Sequence, residues 1–212
     1  MGRRVVDYAD GVECCILDTQ PTTHGRSSMI KRGNLIPLGT IALGMSTLML
    51  GLYLTNLFQT YGGLESLLPI GLNMGGLAQV LIGILCYFRG STREATAFLA
   101  VGLFWFGYGF VGLGSLFGEG GALIGFFYLL WLVLVGSLAL IYWKRGSHIR
   151  AAGYAGLALC FFFQALAHWT TLGLLSISGG VMAVLGGLPL LHLGLKSFID
   201  KAVAEPELED EV

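Results

Sequence analysis

Apolar residues in this chain gather into long unbroken blocks, and polar residues collect in the short stretches between them. The apolar blocks lie near residues 34–58, 68–88, 94–117, 121–143, 150–169 and 171–194. A bilayer core about 30 Å thick is crossed by roughly 20 residues of helix, and each block meets that length. The pattern predicts an all-α integral membrane protein, a bundle of six transmembrane helices over residues 34–195. A polar N-terminal arm over 1–33 precedes it and an acidic C-terminal tail over 196–212 follows.

The charges support this division. All 12 Lys and Arg residues fall in the arm, the connections after the second and fourth helices, and the C-terminal region, and none lies in the other three connections. Basic connections stay on the cytoplasmic side, so both termini are expected in the cytoplasm, with the bundle in the cell membrane. The composition agrees, with 55% hydrophobic and 12% charged residues. Ordinary soluble domains are about a quarter charged, which excludes a soluble globular domain. A net charge of −1 offers no basic field for a nucleic acid.

The arm, with Arg3, Arg4, Asp7, Asp10, Glu13 and Asp18, is too charged for a signal-peptide core. The run Glu205 to Val212 reads as a solvated end. Cys14, Cys15, Cys86 and Cys160 match neither a zinc site nor a disulfide framework.

Glycine is abundant, with 33 residues, mostly inside the spans. In lipid, small residues let helix backbones approach closely. Away from their ends the spans carry no charge, and Glu94 is placed at the lip of the third helix. With no buried charge expected, the remaining chemistry is weakly polar: Ser46, Thr47, Asn56, Asn73, Gln79, Thr96, Tyr108, Gln164, His168, Ser176, Ser178 and His192. Such groups either bond neighbouring helices or line a path for a small solute. Gln79 is singled out because Gly75, Gly76 and Gly83 around it predict space in front of its amide. No metal set, cofactor motif or catalytic cluster is present in the sequence, so an enzyme is not expected.

The second block opens further. Asn34-Leu35-Ile36-Pro37-Leu38-Gly39 starts the first helix, and GGLAQVLIGILCYFRGSTREATAFLAVGLFW occupies residues 75–105. With six spans and cytoplasmic termini, these blocks resemble the acetate uptake transporter family, also called the succinate-acetate permease or GPR1-FUN34-YaaH family, over residues 34 to about 195. The resemblance implies a homo-hexamer of six-helix protomers in the lipid bilayer, each with a conduit for acetate-like monocarboxylates. Carried over by position, the family's narrow ring falls on Leu43, Val101 and Leu157, and its polar lining on Ser46, Gln79 and Trp105, with Asn34 at the mouth. This chain departs from the pattern at Leu35, Cys86 and residues 90–94, and its ring is wholly aliphatic where the family has Phe and Tyr. An aliphatic ring suits the protonated acid, a small neutral solute such as ammonia, or a gate closed by dewetting. A non-conducting membrane scaffold remains a further alternative.

Overall fold

The computed structural model describes residues 35–57, 71–112 and 121–204. The described secondary structure is helical throughout: α1 (Ile36–Leu54), a π-helical segment (Gly71–Leu77) running directly into α2 (Ala78–Phe88), α3 (Thr92–Gly112), α4 (Gly121–Lys144), α5 (His148–Thr170) and α6 (Gly173–Ala204). Among the described residues, five units are long and apolar enough to cross a membrane, counting the π segment with α2 as one. The sixth, α3, opens on the polar sequence Thr92-Arg93-Glu94. Asn34, the N-terminal arm, the acidic run from Glu205, and Cys14 and Cys15 lie outside the described residues.

Two predicted boundaries are corrected. The first helix was expected to reach residue 58 but ends at Leu54, because Asn56 takes a left-handed φ of 58°. Asparagine tolerates that conformation better than most residues. The last helix was expected to stop at 194 but continues to Ala204. Its final turns carry Lys196, Asp200 and Lys201, so it outlasts the apolar stretch that marks a span. At the other end of α1, Pro37 sits in the first turn, where its missing N–H breaks no helical bond.

The α2–α3 and α4–α5 turns repeat one design. Arg89-Gly90-Ser91 and Arg145-Gly146-Ser147 make the same backbone bonds: Arg89 and Ser91 donate to Cys86 O, as Arg145 and Ser147 donate to Tyr142 O. Each turn needs a left-handed residue at its centre, φ 78° at Gly90 and 75° at Gly146. Both turns lie at the end of the bundle that holds the basic clusters, here termed the basic end. Three residues beyond each serine stand Glu94 and Arg150, at equivalent positions of the two hairpins.

Glycine spacing decides which helices touch. The most extensive contact joins α1 to α6, antiparallel, followed by α4 with α5 and α5 with α6. Gly44 and Gly51 of α1 face Gly180, Gly187 and Gly194 of α6, all seven residues apart. A Cβ built on Gly44 would come 2.5 Å from Leu191 N, and one on Gly51 2.7 Å from Gly180 O. Only hydrogen fits there, because backbone lies against backbone. On a neighbouring face of α6, Gly186 meets Gly156 of α5, 2.6 Å from a Cβ built on the latter. Gly136 on α4 is the contrast, with nothing within 4 Å of an added Cβ. Gly136→Ala is expected to preserve the fold and raise stability by about 0.4–1 kcal/mol, read as a higher Tm in detergent.

Candidate functional site

Four helices bring the expected ring and lining residues into the interior. Leu43 and Ser46 come from α1, Gln79 from α2, Val101 and Trp105 from α3, and Leu157 from α5, and each is buried. Leu43, Val101, Trp105 and Leu157 belong to one continuous hydrophobic cluster with Phe104, Tyr108 and Phe161. The aromatic side of that cluster is dense, with Phe104 and Phe161 centroids 4.6 Å apart.

Gln79 has no exposed surface. Its Nε2 donates to Gly39 O of α1 at 3.0 Å, and its Oε1 has no hydrogen-bond partner. A carbonyl oxygen can only accept, so the amide nitrogen must face Gly39 and the orphan atom must be an acceptor. Leaving such an atom unmade costs about 1–3 kcal/mol. The expectation of glycine-made space before Gln79 is corrected at Gly75 and Gly83, though a Cβ on Gly76 would meet nothing nearer than 3.6 Å. A Cβ on Gly75 would fall within the Trp105 ring, and one on Gly83 lies 2.7 Å from Leu99 Cγ, so those glycines seat α3 side chains.

Trp105 is a wedge between the π segment and its own helix. It presses against Gly71 and Gly75 and meets Phe104 and Tyr108 edge-on, at centroid distances of 5.9 and 5.7 Å. Ser46 donates to Leu43 O at 3.1 Å within its own helix, leaving its lone pairs for a donor.

The wider polar set divides by position. Ser46, Thr47, Gln79, Tyr108 and Gln164 are buried, whereas Asn56, Asn73, Thr96 and His192 are exposed. Gln164 is held in an interhelical pair, its Nε2 donating to Ser176 O at 3.0 Å. Bonds of that kind are worth about 0.6 kcal/mol in membranes. His168 stacks on Tyr128 at 5.5 Å.

Sequence reasoning missed a second group. At the basic end a partly open cleft is lined by Thr40, Leu43, Glu94, Tyr142, Arg150 and Tyr154, among others. Its free space is about that of one water molecule. Glu94 and Arg150 are only 6% and 9% exposed. The expectation that no charge is buried in the bundle is therefore corrected: residues from α1, α4 and α6 line the cleft around the first turns of α3 and α5. Tyr142 and Tyr154 stack at 5.2 Å with rings 9° from parallel. Arg93 and Arg150 both lie over the Tyr142 ring, at 5.6 and 5.8 Å. The recurring Arg-Gly-Ser tripeptide was the sequence signal that would have located this pair.

The comparisons with known proteins agree with the helical architecture. The chain superposes on a solved structure described as the bacterial acetate channel SatP with a TM-score of 0.73, covering 84% of this chain and 98% of that one at 24% identity. At that identity the likeness is one of fold. A Methanothermobacter thermautotrophicus protein of uncharacterised activity is 25% identical over 184 residues, 81% of this chain and 87% of its own. The succinate-acetate/proton symporter SatP of Escherichia coli K12 is 39% identical over 75 residues, a match spanning 35% of this chain and 38% of the symporter. The profile of the GPR1/FUN34/yaaH family covers residues 18–203, from within the N-terminal arm to the end of α6. With that coverage and a shared helical bundle, this multi-pass membrane protein belongs to the GPR1/FUN34/YaaH family.

Proposed function

We propose that the protein is a channel or transporter passing acetate and similar small monocarboxylates across the cell membrane, through one conduit in each protomer of a homo-hexamer. Both termini are in the cytoplasm in this reading, and the protein is not an enzyme. Family membership and the likeness to SatP support the coarser role of transporter or channel. In the path we propose, Asn34 stands at the mouth, Leu43, Val101 and Leu157 form the constriction, and Ser46, Gln79 and Trp105 line the way.

The observation that carries the reading is the orphan Oε1 of Gln79. A carboxylate anion has no proton to donate to it, whereas a carboxylic acid does. A ring built only of carbon likewise disfavours a bare charge and admits the neutral acid. The same ring favours a second reading, a conduit for a small neutral solute such as ammonia.

Labelled acetate uptake into proteoliposomes tests the proposal. Uptake is expected to exceed that of empty vesicles and to fall with unlabelled acetate. It should also rise as the external pH drops toward the carboxyl pKa, about 4.3 for a comparable side-chain acid, because the acid fraction grows about tenfold per unit above it. Uptake equal to empty vesicles under every pH gradient overturns the reading. Competition by methylamine or urea, with acetate silent, replaces it by the second.

A further inference from the structure

We propose that the basic-end cleft is a capture site for the solute's carboxylate group, with the Arg150 guanidinium as its receptor. The proposal deepens the reading of the protein as a monocarboxylate conduit and rests on it. Buried charges in proteins are normally paired. Among the described residues, the two buried charges at equivalent positions of the two hairpins are treated differently. Glu94 is neutralised, its Oε1 taking both Nε of Arg93 at 2.9 Å and an Nη at 2.8 Å. Among the described residues, Arg150 has no carboxylate within ion-pair distance and rests on the face of Tyr142 instead.

The cleft is lined by one guanidinium, that of Arg150, and one carboxylate, that of Glu94. Arg93, outside the lining, pairs with Glu94 and offsets its charge, leaving the positive charge of Arg150 on a nine-tenths buried side chain. Arginine presents a planar fork matched to the two oxygens of a carboxylate. Thr40 points its hydroxyl proton at Ile36 O, 2.8 Å away, so its oxygen keeps lone pairs free to accept. Leu43, a member of the proposed ring, also lines the cleft, so a solute held on Arg150 would lie next to that ring. Near neutral pH almost all of a small monocarboxylate is anionic, so a cationic receptor matches the species present at the mouth. The acid in equilibrium with the captured anion is the species that meets Gln79.

Detergent-solubilised protein without anionic lipid provides the first test. Acetate is expected to raise the Tm of the wild type by mass action, and acetamide, its neutral isostere, is not. Equal shifts from the two overturn the proposal. In proteoliposomes, Arg150→Gln is expected to lose the acetate shift and to raise the KM for acetate uptake about tenfold, with Arg150→Lys recovering part of it. An unchanged KM in folded Arg150→Gln overturns the site while leaving the conduit reading intact. Conversely, an acetate-specific Tm shift without any wild-type uptake sinks the conduit reading and not the site. If phosphatidylglycerol reproduces the Arg150-dependent shift in the wild type and acetate does not, the receptor serves a lipid headgroup and the proposal fails.

Discussion

Gln79→Leu is expected to cut acetate uptake by about five- to 150-fold while leaving the purified protein folded. The amide makes one hydrogen bond, from Nε2 to Gly39 O. That carbonyl lies inside α1 and has its helical position to fall back on. Leucine of similar volume removes the orphan Oε1 as well, so the desolvation cost disappears along with the bond. Replacing a half-satisfied polar group by a hydrocarbon is then close to neutral for stability. For a solute that donates to Oε1, the lost bond is worth about 1–3 kcal/mol, or about a five- to 150-fold lower rate. The check is labelled uptake in proteoliposomes beside size-exclusion profile and Tm. A variant that folds and transports at the wild-type rate removes Gln79 from the path.

Gly51→Leu is expected to do the opposite, destroying the fold before function can be asked about. An added Cβ meets Gly180 O at 2.7 Å and Val184 N at 2.7 Å, both of them backbone atoms of α6. Backbone cannot turn aside as a rotamer can, so the two helices must separate along the seam. Overpacking a tight interior costs about 1–3 kcal/mol, and a full leucine at this contact belongs at or above the top of that range. Loss of the monodisperse peak on size-exclusion chromatography is the expected readout, with Gly51→Ala intermediate. A monodisperse Gly51→Leu protein with wild-type Tm would contradict the described α1–α6 contact.

These two residues also illustrate how legible the molecule was in its sequence. The helix count and most boundaries followed from apolar run length, and 121–143 against Gly121–Lys144 is a near match. Helix ends and apolar run ends part company at two places. α6 outruns its apolar stretch because the helix continues through the charged turns of Lys196, Asp200 and Lys201, and α1 stops short because Asn56 turns the chain. Glycine density foretold close helices but not their partners. At Gly75 and Gly83 the neighbours are Trp105 and Leu99, fixed by how α3 docks, which no local pattern encodes. Arg150 looked like an ordinary boundary charge because its burial comes from residues far away in the chain, on α1, α4 and α6. Leu43, Val101, Trp105 and Leu157 were named through the family resemblance, whereas Ser46 and Gln79 already stood out as polar residues within apolar spans; all six are buried.

The glycine seam has a consequence for the order of assembly. It joins the first helix to the last, so α1 enters the bilayer before its principal partner has been synthesised. Roughly 130 residues separate Gly51 from Val184, and at about 5–20 residues per second the wait is on the order of 10 s. During it, the notched face of α1 lies against lipid, or is held by whatever the insertion machinery offers. The bundle thus closes last at the place where its packing tolerates least, and a nascent chain truncated before α6 leaves α1 without its principal partner.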